Sequence, residues 1–169
     1  MYNTRISRGA KWAARCGRRY GWYILPLLWM IVIFLFSAQD ASVSDQQSGR
    51  IVGSLSLVAS GVAGDLLTIL TRKAAHIFLY FVLGVLLYNA IYRCRPVAKR
   101  AVLLAIVIAC VYAISDELHQ LFVPGRSGEV RDVLIDTAAA TLAVVASAWI
   151  VRLLSSHKLT KPSEVQGDD

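Results

Sequence analysis

The chain has 169 residues, of which 56% are apolar and only 17% charged, with a formal net charge of +7 and a mean hydropathy of +0.54. A soluble domain of this length carries a more charged surface, and here the apolar residues are gathered into four long blocks, which excludes an ordinary soluble fold. The basic residues flank those blocks instead of lining one face, which excludes nucleic acid as the partner that the net charge would otherwise bring to mind.

Residues 1–20 are a basic tail carrying Arg5, Arg8, Lys11, Arg15, Arg18 and Arg19. The first apolar block, Trp22–Ser37, follows, with Trp22 and Tyr23 at the depth where aromatic side chains mark a membrane interface. Pro26 falls near its first turn, where a missing N–H costs least. A basic tail before an apolar run also fits a cleaved signal sequence. The cut sites fit badly, because cleavage after Ala38 or Ala41 places Phe36 or Gln39 where a small residue is needed, so a retained anchor is expected. The stretch 37–71 follows. Within it Ile51, Leu55, Val58, Val62, Leu66 and Ile69 recur at steps of three and four, which predicts an amphipathic helical segment bent or broken at Gly61 and Gly64. The second block is Ala74–Tyr92 and the third Ala101–Ser115, joined by a short basic loop around Pro96. A Pro/Gly turn region, 121–131, leads into the fourth block, Val133–Leu154, and residues 156–169 form a polar tail.

Roughly 20 apolar residues cross a hydrocarbon core, so each block, extended by a few residues, reads as a transmembrane helix. Thirteen of the 18 Lys and Arg lie in the N-terminal tail, the loop between blocks two and three, and the stretch from Arg152 onward. The positive-inside rule then puts both termini in the cytoplasm. Asp40, Asp45, Asp65, Asp116, Glu117, Glu129, Asp132 and Asp136 fall on the opposite side, in agreement. The expected fold is all-α: an integral membrane bundle of four transmembrane helices over 21–155, with an external amphipathic segment between the first and second. Cys16 and Cys94 fall on the reducing side and Cys110 in mid-span, so no disulfide framework is expected.

Charged groups at membrane depth are expensive and mark candidate sites. Here they gather at the non-cytoplasmic ends of the blocks. Lys73, His76 and Tyr80 are spaced by three and four and share one helix face; Asp116 pairs likewise with His119 and Gln120, and Asp132 with Asp136. Taken singly, Arg72, Lys73 and Arg131 are ordinary snorkelling cations, and His119 is an ordinary helix-end residue. Taken together they predict one polar pocket, because the cytoplasmic ends carry no equivalent group.

Ser37 and Gln39 after Phe36, then Lys73, His76, Tyr80, Leu83 and Gly84, then Asp116, Glu117, Gln120, Phe122 and the run Pro124-Gly125-Arg126-Ser127-Gly128 with Asp132, resemble the VanZ-like family. The resemblance covers about Ile31 to Leu142, and its third motif is long and specific. The chain departs from the pattern at Asp136, where Asn is common, and at Ala139 and Ala140, where a Gly is common. The resemblance implies a bacterial plasma membrane protein of the cell envelope that affects susceptibility to the glycopeptide teicoplanin; it supplies no reaction.

The ligand-binding candidates are Ser37, Gln39, Lys73, His76, Tyr80, Asp116, Glu117, Gln120, Arg126, Ser127 and Asp132. Arg126 and Ser127 precede a helix, a setting suited to a phosphate or carboxylate; the bland alternative is a Pro-Gly turn with Ser127 as a cap and Arg126 paired to Asp116 or Glu117. The partners in view are membrane lipids, a lipid-linked cell-wall precursor or the glycopeptide itself. A hydrolase acting on lipid-linked phosphate is the second reading, with His76, Asp116 and Glu117 as catalytic candidates, and the Arg126-Ser127 run is similar over a few residues to motifs of membrane lipid phosphatases. His76, Asp116, Glu117, His119, Asp132 and Asp136 are also hard-metal ligands, but spacing alone shows no convergence, so neither a metal nor a cofactor is assigned.

Overall fold

The computed structural model describes residues 21–39, 62–94, 97–126 and 128–159. Every regular element among them is helical. A single 3-10 turn, Gly21–Tyr23, leads into α1 (Ile24–Ser37), followed by α2 (Val62–Cys94), α3 (Ala98–Gln120) and α4 (Val130–Leu159). Among the described residues, three stretches are long and apolar enough to cross a membrane: Ile69–Cys94, Ala98–Gln120 and Val130–Ser156. The first block is a shorter apolar helix, Gly21–Ser37. Its rise is about 27 Å, slightly under a hydrocarbon core of roughly 30 Å. Pro26 is the third residue of α1, among the first four positions whose N–H groups have no intrahelical acceptor, so the helix starts there without loss.

The surface has the inverse of a soluble pattern. Leu25, Leu27, Ile31, Phe78, Leu103, Val111, Leu134, Leu142 and Trp149 are all exposed, and at most 44% of any spanning window is buried within the protein. Apolar area of this extent is not tolerated in water; it is the lipid-facing surface of a membrane protein.

The expected amphipathic segment lies partly outside the described residues, which take up the chain again at Val62. From there the helix runs on through Gly64, so α2 begins well before Ala74. One glycine in a helix interior costs about 1 kcal/mol, less than ending a long packed helix would.

α2 and α4 form the most extensive contact, α3 packs on both, and α1 lies against α2. Small residues set the spacing. Ala101, Ala105, Ala109 and Ala113 are fully buried at four-residue steps along α3. On α2, a Cβ added at Gly84 would sit 2.4 Å from the Ala140 carbonyl oxygen of α4 and 3.0 Å from the Ala143 Cβ, so the two backbones cross in near contact. Ala140 is fully buried at that crossing, so an alanine there still permits close approach because Gly84 opposite it has no side chain. α1 is fastened by one hydrogen bond in each direction: its Trp29 Nε1 donates to the Leu79 carbonyl of α2 (2.9 Å), and Tyr112 Oη of α3 donates to its Met30 carbonyl (2.6 Å).

Candidate functional site

The alanine stripe of α3 continues, at the same spacing, into Asp116, Glu117 and Gln120, all buried. The face that packs the bundle therefore carries polar groups into it at one end. Burying a carboxylate is costly unless its oxygens are hydrogen-bonded or paired. Each of these two meets that need differently.

Asp116 is 3% exposed. Its Oδ2 accepts from Ser37 Oγ of α1 (2.8 Å) and from Tyr80 Oη of α2 (3.2 Å), so one carboxylate joins three helices. Its Oδ1 is buried without a hydrogen-bond partner among the described residues. Glu117 turns towards the α3–α4 connection. Oε2 accepts the backbone N–H of Glu129 (2.9 Å), just before α4 starts, and Oε1 accepts from Gln120 Nε2 (3.2 Å). The connection can lie this close because Gly128 has no side chain: a Cβ there would meet the Glu117 carbonyl oxygen at 2.6 Å. Gly125, at φ 73°, supplies the left-handed turn.

Between residues 69–76 of α2, the first turns of α4 and the end of α3 lies a cavity of about 240 Å³. From α2 it is lined by Ile69, Arg72, Lys73 and His76, which share one helix face. From α4 it is lined by Glu129, Asp132, Ile135 and Asp136, and Gln120, Gly125 and Arg126 close the third side. Lys73 Nζ and an Asp132 oxygen form a close ion pair across the cavity. Arg126 makes long, weak contacts of 3.5 Å to Gln120 Oε1 and of 3.5 Å to the Phe36 carbonyl, which place the turn beside the end of α1. Deeper in, His76 Nδ1 is 3.6 Å from Asp136 Oδ2, and Asp136 is only 2% exposed.

The structure thus divides the residues singled out from the sequence. Lys73, His76, Gln120, Arg126 and Asp132 line the cavity. Ser37, Tyr80 and Asp116 form the buried hydrogen-bonded group beside it. Glu117 is committed to the α3–α4 connection. Gln39 is partly buried at the end of α1 and is not among the lining residues. Ser127 lies outside the described residues. His119 packs against Phe34 in a tilted ring contact, centroids 4.5 Å apart, and is not among the lining residues. Missing from the binding set were Arg72, Glu129 and above all Asp136; the four-residue step from Asp132 was the signal that put Asp136 on the same face.

The family model described as VanZ/LLP1 matches residues 22–152, which takes in α1 and all of the cavity. No curated protein matches the chain, and no solved structure does.

Proposed function

The chain belongs to the VanZ/LLP1 family, and from that premise we propose that it is a multi-pass protein of the bacterial plasma membrane whose outer-face cavity holds the anionic headgroup of a lipid or lipid-linked cell-wall precursor. In this reading α1 is the fourth span, both termini are cytoplasmic, and occupancy of the cavity alters teicoplanin susceptibility. The observation that carries it is the cavity between α2 and α4, lined by Arg72, Lys73 and Arg126 at the end of the bundle away from the basic loops. Size supports the choice of ligand. Pockets for drug-sized molecules occupy about 300–1,000 Å³, so a cavity of about 240 Å³ suits a phosphate-bearing headgroup and is too small for a whole glycopeptide. A guanidinium and an ammonium at one opening suit phosphate oxygens.

The test is binding of a short-chain polyprenyl phosphate to the purified protein by native mass spectrometry, with the uncharged polyprenol as control. Arg126→Lys keeps the charge and loses the fork. One charge-assisted hydrogen bond is worth about 1.5 kcal/mol or more, so affinity is expected to fall roughly tenfold. Expression in a susceptible Gram-positive host is expected to raise tolerance to teicoplanin more than to vancomycin. Equal binding of phosphate and polyprenol sinks the reading. A hydrolytic reading takes its support from half-buried His76 beside buried Asp136; phosphate release from the same lipid, lost in His76→Gln, would put it first.

A further inference from the structure

The cavity lining mixes Arg72, Lys73 and Arg126 with Glu129, Asp132 and Asp136, so an anion entering it meets carboxylates as well as cations. The deepest of these sit in a cluster whose charge is not settled by hydrogen bonds. A ring nitrogen of His76, one carboxylate oxygen of Asp116 and one of Asp136 all lie within 4.8 Å of one another. They come from α2, α3 and α4. Both aspartates are more than nine-tenths buried, and each has a buried oxygen without a hydrogen-bond partner among the described residues, Oδ1 of Asp116 and Oδ2 of Asp136. The 3.6 Å from His76 Nδ1 to Asp136 Oδ2 is too long for a hydrogen bond. Two buried carboxylates this close repel each other unless something positive lies between them.

We propose that His76, Asp116 and Asp136 are the protein ligands of a divalent cation of the Mn²⁺ or Zn²⁺ class. The donor set selects the class. Ca²⁺ takes six or more oxygens and Mg²⁺ keeps most of its waters, whereas one imidazole with two carboxylates suits Zn²⁺ and Mn²⁺. Metal–ligand bonds of about 2.1 Å put donor atoms about 3.0–3.5 Å apart. The widest separation here must therefore close by on the order of 1 Å, within reach of side-chain rotation. One oxygen of Asp116 is held and the other is uncommitted. Ser37 and Tyr80 hold its Oδ2 and leave Oδ1 uncommitted, the arrangement by which hydrogen-bonding neighbours fix a ligating carboxylate. Three protein ligands leave at least one coordination position open, and His76 and Asp136 line the cavity, so that position faces the space where an anion would enter. A dication offsets the two aspartate charges there. This link to the anion rests on the function proposed above; the ion site rests only on its own residues.

The full-length protein is purified in detergent, stripped with EDTA and titrated with Mn²⁺, the free ion being read by electron paramagnetic resonance. One Mn²⁺ per chain is expected, displaceable by Zn²⁺. His76→Ala and Asp136→Asn are expected to lower the affinity at least tenfold, whereas His119→Ala, which alters a histidine outside the cluster, leaves it unchanged. If Asp136→Asn does not fold, Tyr80→Phe serves in its place: all three ligands persist, and loss of the orienting hydroxyl is expected to cost about tenfold. Wild-type protein that takes up neither ion, or uptake that His76→Ala leaves intact, overturns the site, and a shared proton between the aspartates takes its place. Polyprenyl phosphate binding is read separately, with and without Mn²⁺. Ion uptake without lipid uptake sinks the headgroup reading alone; lipid uptake by a chain that binds neither ion sinks the metal site alone.

Discussion

The same helix faces solve two opposite packing problems a few turns apart. At the Gly84–Ala140 crossing, α2 and α4 meet with almost no side chain between them, and close contact of backbones holds the pair. Towards the cavity the same two helices diverge enough to admit Lys73, His76, Asp132 and Asp136. α3 repeats the contrast along one stripe, from Ala101, Ala105, Ala109 and Ala113 to Asp116 and Glu117. The apolar half needs only shape. The polar half needs a hydrogen bond for every buried oxygen, and it is where hydrogen bonds run out: among the described residues Asp116 Oδ1 and Asp136 Oδ2 accept none. Stability and function are thus separated along the bundle axis, with the tight crossing holding in place a region that is not self-sufficient.

The contrast breaks most severely at Gly84. A leucine there has nowhere to go, because even its Cβ overlaps a backbone carbonyl. Gly84→Leu is expected to lose about 3 kcal/mol or more and Gly84→Ala about 1–3 kcal/mol, despite alanine's better helix propensity. Thermal unfolding followed by tryptophan fluorescence in detergent checks this, and an unchanged midpoint for Gly84→Ala would remove the close crossing from the account.

At the polar end, Asp116→Ala takes the acceptor from both Ser37 and Tyr80. Each orphaned buried donor costs about 1–3 kcal/mol, offset in part by relief of a buried charge, so a net loss of roughly 2 kcal/mol is expected in the same unfolding assay. Asp116→Asn keeps an acceptor and is expected to lose less. Glu117 offers a finer distinction. Glu117→Gln can still accept the Glu129 N–H and is expected to stay within about 1 kcal/mol of wild type, while Glu117→Ala strands that N–H and loses about 1–3 kcal/mol. If Glu117→Gln instead abolishes function in a well-folded protein, Glu117 belongs to chemistry and not to the α3–α4 connection. The smallest effect is expected at the far end of the bundle, where the Arg93 guanidinium lies 4.1 Å from the centre of the Trp22 ring. Arg93→Ala is expected to lose about 0.5–1 kcal/mol and to leave the cavity's ligands untouched.

Much of this division was legible in the sequence. Apolar block length marked the helices, and three-and-four spacing put Lys73 with His76 and Asp132 with Asp136. What spacing within a helix cannot carry is the register between helices. That register is set by the Gly84–Ala140 contact and by the hydrogen bonds of Trp29 and Tyr112 to backbone carbonyls, which join residues 50 or more positions apart. It separates Tyr80 and Asp116 from the cavity lining and turns Glu117 to the connection. It also brings His76, Asp116 and Asp136 within one another's reach, a convergence the sequence left open. The start of α2 differs from the apolar block for a local reason: Gly64 reads as a residue that bends or breaks a helix, yet the helix continues through it.

The central claim is that α2 and α4 face each other across one cavity, and the Lys73–Asp132 pair tests it most directly. Lys73→Asp sets two acids against each other, and Asp132→Lys sets two bases. Each reversal alone is expected to lower both the unfolding midpoint and polyprenyl phosphate binding. The double reversal restores the pair, and the account predicts that it recovers at least half of the stability loss, with a coupling of about 1 kcal/mol or more between the two positions. Losses that simply add in the double variant would mean that the two side chains do not meet, and the shared cavity would have to be abandoned.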